Sequence, residues 1–197
     1  MEATWENRKS WAGFRMSEGM PYFAVGVDNR YIPPSPLGCQ EIINRKMVTL
    51  KKPHEFPRNL LFMVEPNTQM TFTDVVNFPC FMVSSMVREA VLRYEPFMRF
   101  VRVILYDRER KENRAYHIPF MERQKAVEGR GTPGAASVRL RVDRQSLEDR
   151  ALVEITCPTG QAVIMRMDLT ESILRRGALG ISLGEVETVQ RDGRQGG

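Results

Sequence analysis

The chain has 197 residues, 42% hydrophobic and 27% charged, with a formal net charge of +5. Such proportions belong to an ordinary globular protein, and no apolar run approaches the ~20 residues needed to cross a bilayer. One compact body is expected over 21–190, preceded by an arm at 1–20 and followed by a polar, disordered tail at 191–197.

Trp5, Trp11 and Phe14 stand among charges and glycines, as in an arm that docks by its aromatics. The opening MEATWENRKSW lacks the apolar segment of a secretory signal, so a cytoplasmic location is expected. PYFAVGVD at 21–28 reads as a first strand, and Pro33, Pro34 and Pro36 then favour an extended surface connection. The segment 41–50 fits a short helix or a strand, and Pro53 and Pro57 mark a second connector. A strand at 60–64 is followed by a turn at Glu65-Pro66-Asn67. Thr71 or Thr73 is then placed to cap a short helical turn through Asp74, Val75 and Val76.

The stretch 72–107 carries the clearest pattern. Phe81-Met82-Val83 is a short apolar run closed by Ser84 and Ser85, either of which suits an N-cap. Met86, Val87, Ala90 and Val91 recur at spacings of three and four, with Arg88, Glu89 and Arg93 largely opposite, which predicts an amphipathic helix ended by Pro96. A strand over 98–106 follows.

A polar turn holding Arg108, Arg110, Lys111 and Arg114 leads to a strand over 115–120. EGRGTPGAA at 128–136 reads as an exposed, flexible connection, without the lysine and hydroxyl residue of a phosphate-binding loop. SVRLRV at 137–142 alternates as a half-exposed strand with Arg139 and Arg141 on its solvent face. Strands at 151–156 and 161–165 then form a hairpin around Pro158-Thr159-Gly160.

Near the C-terminus the strand–helix–strand order recurs. Val163-Ile164-Met165 precedes Asp168 as an expected cap, Leu169, Ile173 and Leu174 form a helical face that stops at Gly177, and Ile181, Leu183 and Val186 follow. A gapless shift of 83 positions lays Ser85 on Asp168, Ala90 on Ile173 and Phe100 on Leu183. An internal duplication and two independent units with a common pattern both fit. The expected fold is therefore α+β, a mixed or antiparallel sheet with two or more amphipathic helices.

Cys39, Cys80 and Cys157 are widely spaced, and Cys80 and Cys157 sit in apolar contexts, as small core residues do. His54 and His117 stand in no catalytic motif, no Gly-x-Ser-x-Gly turn occurs, and Asp74, Glu65 and His54 match no metal-ligand spacing, so no cofactor or metal is expected. Glu185 and Glu187 read as a solvated strand edge. From 99 to 150 there are 13 Lys+Arg against 8 Asp+Glu, a difference of +5 equal to the whole net charge. The mixed signs read as a solvated surface, and no aromatic-interleaved basic motif points to nucleic acid.

The segment 57–96 resembles a family of bacterial immunity proteins of polymorphic toxin systems, formerly catalogued as a domain of unknown function. The likeness rests on Thr73-Asp74-Val75-Val76, on a strand ending at Ser84 or Ser85, on Arg93-Tyr94-Glu95-Pro96, and on Ala178-Leu179-Gly180-Ile181-Ser182-Leu183 late in the chain. The resemblance extends over about 22–186 and implies a non-catalytic protein that neutralises a cognate toxin by direct binding. Members are often acidic, whereas this chain is basic, which leaves the toxin class open. The surface expected to meet an acidic or mixed partner comprises Arg108, Arg110, Lys111, Arg114, Arg139 and Arg141. Two alternatives stand beside it: an enzyme or small-molecule binder with a pocket near His117 or Cys157, and a basic nucleic-acid-binding protein.

Overall fold

The structure, a computed structural model, describes residues 19–50, 52–57, 60–130, 139–158 and 160–190. Nearly all of the expected arm, most of the glycine-rich 128–136 stretch and the tail lie outside them. In chain order the elements are β1 (Tyr22–Val27), α1 (Arg45–Leu50), β2 (Leu60–Met63), β3 (Val75–Val76), β4 (Met82–Ser84), α2 (Ser85–Tyr94), β5 (Phe100–Asp107), β6 (Glu112–Pro119), β7 (Arg123–Lys125), β8 (Glu128–Arg130), β9 (Arg139–Asp143), β10 (Leu152–Cys157), β11 (Gly160–Arg166), α3 (Met167–Leu174) and β12 (Ile181–Val189). Single 3₁₀ turns lie at Pro53–Glu55 and Gln145–Leu147. The protein is α+β but dominated by its two mixed sheets.

One sheet has seven strands in the order β7-β10-β11-β1-β12-β9-β8, and the other has five in the order β2-β5-β6-β4-β3. In the larger sheet the end strands β7 and β8 are pieces of one segment. Ala126 N–H donates to the Thr156 carbonyl on the β10 side, and Val127 N–H donates to the Arg141 carbonyl on the β9 side. The segment thus joins both edges and closes the sheet into a barrel, which leaves it no free edge. The period of two sorts its side chains: Tyr22, Ala24, Leu140, Val142, Val153, Ile155 and Ile164 fill one core, while Val25, Leu152, Val163 and Met165 face outward into another.

That outward core is shared. Val87, Ala90 and Val91 of α2, Leu169 and Ile173 of α3, and Val75 and Val83 of the five-stranded sheet complete it. At about 1.5–3 kcal/mol for each large apolar side chain removed from water, this layer is what joins the barrel to the smaller sheet. The opposite face of the smaller sheet packs Leu60, Phe62, Val103, Leu105, Tyr116 and Ile118 against Cys39, Ile43, Phe56 and Met70.

Both strand–helix–strand units are present. The strands β4 and β5 flank β6, just as β11 and β12 flank β1. Their helices meet each other, the Tyr94 hydroxyl donating to the Asp168 carbonyl at 3.2 Å. Ser84 is the cap of α2, its Oγ accepting from Val87 N–H at 3.3 Å and donating to Asp74 Oδ1 at 2.5 Å.

Three local expectations are corrected. Val75 and Val76 form a strand rather than a helical turn, because two buried β-branched residues pair antiparallel with Val83 and Met82. Asp168 does not cap α3, which starts one residue earlier behind Arg166. The Asp168 carboxylate instead receives the Arg166 guanidinium and its neighbour Leu169 N–H. Glu128–Arg130 is not loose connection but a strand paired with β9.

Candidate partner-binding surface

Cross-strand register fixes what lies on the second face of the five-stranded sheet. Val83, His117 and Arg102 form one row across β4, β6 and β5. Ala115, Ile104 and Leu61 form the next across β6, β5 and β2, and Asn113, Tyr106 and Met63 the third. Helix α2 covers the β4 end of this face, where Val83 is fully buried. Toward β2 the cover stops: Leu61 is 61% exposed and Met63 44%. Ile104, Tyr106 and Ala115 are half-buried, and Arg102 is exposed. Arg88 of α2 stands over the Phe100 ring, 5.5 Å from its centroid, at the same end as Arg102. Among the described residues neither arginine forms an ion pair, whereas Arg30, Arg110, Arg123, Arg141, Arg144, Arg150, Arg166 and Arg175 all do.

The cations nominated from the sequence fall on two different sheets. Arg108, Arg110 and Lys111 occupy the β5–β6 turn and Arg114 lies on β6, whereas Arg139 and Arg141 lie on β9 of the barrel. Arg110 is committed to structure. Its guanidinium donates to the carbonyls of Met70 and Thr68 at 2.7 Å each and pairs with the buried Asp107, tying the turn to the 67–70 loop. Arg141 is shared between Glu128 at 3.4 Å and Glu187 at 3.2 Å. Arg108, Lys111 and Arg114 are exposed and make no ion pair among the described residues. The side chain of Arg139 lies outside the described part of the structure. The residues absent from the sequence-based selection are Leu61, Met63, Ile104, Tyr106, Arg88 and Arg102. One signal for them was present: LLFMV at 60–64 is apolar at every position, where a strand with one solvated face alternates.

A polar node borders this face. Ser85, the first residue of α2, places Oγ 3.2 Å from His117 Nε2. His117 is only 9% exposed, and burial together with the charges of Arg88 and Arg102 pulls its pKa down to about 4. A hydroxyl hydrogen-bonded to an imidazole is the first half of a nucleophilic triad. The second half is a carboxylate on the other ring nitrogen, and among the described residues none is bonded there. Two arginines instead oppose the imidazolium that general-base catalysis would have to form. Cys157 is buried and donates its thiol to the Gly160 carbonyl at 3.3 Å.

A cleft of about 240 Å³ lies between the barrel and the smaller sheet, lined by Val25, Phe81, Phe120, Arg123, Glu154 and Gln161 among others. Arg123 and Glu154 form a 2.5 Å ion pair in its wall. Neither His117 nor Cys157 lines it. No helix of the described residues is long and apolar enough to cross a membrane. No protein-family model matches the chain, and no curated protein matches it either.

Proposed function

We propose that the protein acts in the cytoplasm by binding, without chemistry of its own, and that its partner is a protein toxin which it neutralises, as the resemblance to the immunity family implies. The observation that carries this reading is the uncovered apolar face made by Leu61, Met63, Ile104, Tyr106 and Ala115. Each large apolar side chain left in water forgoes stabilisation of about 1.5–3 kcal/mol, and a contiguous group of them, rimmed by unpaired cations, is the usual mark of a protein contact. Arg108 and Lys111 of the hairpin turn add two cations that make no ion pair among the described residues, whereas Arg114 stands on the Leu105 side of the sheet and Arg139 and Arg141 lie apart on the barrel, Arg141 shared between Glu128 and Glu187. A partner seated there would be blocked sterically and matched in charge.

The test is co-expression with the toxin-like products of neighbouring reading frames, scored as growth protection. Full-length protein is expected to protect, and Leu61→Asp/Ile104→Asp protein of unchanged circular dichroism is not. Protection that survives the double variant would remove this face from the mechanism. Arg139→Glu/Arg141→Glu protein tests the barrel cations in the same assay.

The cleft favours a second reading, a small-molecule binder, because apolar walls and a few polar groups converge in it. That reading predicts thermal stabilisation by some member of a metabolite panel, abolished by Gln161→Trp, a change on the outward face of β11 that narrows the cleft.

A further inference from the structure

Resting on the binding reading above, the geometry points to the form of the partner element: we infer that the open face receives an amphipathic α-helix whose carboxylates lie at the Arg88/Arg102 end. The face has the dimensions of one helix. Helix α2 already covers the β4 side, and the strands left open, β6, β5 and β2, stand about 4.8 Å apart, so the uncovered strip is roughly 10–15 Å wide. A helix with its side chains is about 10–12 Å across. From Arg102 to the turn at Arg108 the strip runs along β5 for about 20 Å, at roughly 3.3 Å per residue, which matches some 13 helical residues. A helix laid there would stand beside α2 and complete the helical layer that α2 begins.

The chemistry of the strip sets the sequence of that helix. Its floor is apolar from Leu61 and Met63 across to Ile104, Tyr106 and Ala115, which asks for apolar residues at helical spacing. Its charge is not symmetric. At the turn, Arg108 and Lys111 are offset by Glu109 and Glu112. At the α2 end Arg88 and Arg102 have no ion-pair partner among the described residues and bear on the buried, neutral His117. Carboxylates of the incoming helix are therefore drawn to that end, which gives the helix one preferred direction.

The test uses the full chain and a synthetic helical peptide of about 14 residues with a Leu/Ile stripe and glutamates at one end, compared with a peptide bearing lysines there and with a scrambled sequence. Binding is followed by fluorescence anisotropy and by methyl NMR of Leu61, Met63, Ile104 and Ala115. The expected result is saturable binding of the glutamate peptide that shifts those methyls, weakened about tenfold or more by Arg88→Glu/Arg102→Glu, with the lysine peptide bound correspondingly worse. Equal binding of the glutamate and lysine peptides, or shifts elsewhere, overturns the inference. So does concentration-dependent self-association that moves the same methyls, which would make a second copy the occupant. Movement of those methyls in Trp5→Ala/Trp11→Ala/Phe14→Ala protein would assign the face to the chain's own N-terminal residues instead. If the peptide fails while a neighbouring toxin is still neutralised, the helical partner element is wrong and the binding function stands. If no toxin is neutralised while the peptide binds, the reverse holds.

Discussion

Gly180 and Gly177 are separated by two residues and share a left-handed backbone, with φ of +71° and +77°. Replacing each by alanine should nevertheless give different results. A Cβ on Gly177 meets nothing within 4 Å. The cost there is the left-handed conformation alone, about 1–2 kcal/mol, offset by the ~0.4–1 kcal/mol that alanine gains by restricting the unfolded chain. A Cβ on Gly180 would lie 2.3 Å from Thr73 Cγ2 and 2.7 Å from Thr73 Cβ. Thr73 is fixed: it is 1% exposed, its hydroxyl donates to the Val75 carbonyl at 2.7 Å, and its own carbonyl accepts the Tyr116 hydroxyl at 2.7 Å. Relief has to come from moving β3 or the start of β12, an overpacking cost of about 1–3 kcal/mol more. Gly177→Ala is thus expected to cost about 1 kcal/mol and Gly180→Ala about 3 kcal/mol, or roughly 3 °C against 6–12 °C in Tm for a chain of this size. Urea denaturation of both variants checks this. Equal losses would mean that β12 does not press on Thr73 as the structure has it.

Arg110→Ala should cost about 2 kcal/mol in the same denaturation experiment, since it frees two carbonyls and leaves the buried Asp107 without its cation, whereas Arg108→Ala should stay within about 0.5 kcal/mol. Similar losses for the two would contradict the division of that turn into one structural arginine and one free one. His117 gives a pH signature. Folded it titrates near about 4, while in the unfolded chain it takes a proton near 6.5, so between those values the unfolded state binds more protons. Its contribution is therefore complete above about pH 6.5, declines as pH falls, and is gone below about pH 4, an effect on the order of 2–3 kcal/mol. Comparison of urea midpoints from pH 7.5 to 4 for the wild type and His117→Gln should show a shallower decline in the variant, and parallel curves would refute the assignment.

Much of the fold was legible because local chemistry and tertiary demand agree at the decisive positions. The Ser84 cap, the Val87/Ala90/Val91 stripe and the stop before Pro96 place α2 from sequence alone, and Leu169 with Ile173 does nearly as well for α3. Where a local signal competed with packing, packing prevailed. Thr73-Asp74 has the chemistry of a helix start, but Val75 and Val76 are recruited by the edge of β4, and Thr73 turns its hydroxyl to a strand carbonyl. Barrel closure was beyond reach, since nothing in 123–130 says that Ala126 and Val127 address two strands that lie apart in the sequence. The proposed surface was half legible. Counting charge found the hairpin cations, but counting cannot tell Arg110, held by backbone carbonyls, from Arg102, which makes no ion pair among the described residues. Leu61 and Met63 announced themselves only by the failure of β2 to alternate.

The disposition of strand edges bears on how any partner engages this protein. In the barrel, the 123–130 segment occupies the free sides of both β9 and β10. In the smaller sheet, the β3 edge is engaged next to its start, where Asp74 N–H donates to the Leu179 carbonyl. Beyond β2, Pro36 lies opposite Val64, and Leu37 N–H donates to the Met63 carbonyl. A partner strand would have to displace the 35–37 segment before it could pair with β2, losing existing hydrogen bonds to make new ones. Face packing meets no such cost, because Leu61, Met63 and Ile104 already project from paired backbone. Affinity for a partner should then reside in side chains rather than main-chain hydrogen bonds, so a single aspartate at Leu61 or Ile104 should weaken binding more than any change confined to the backbone edge of β2.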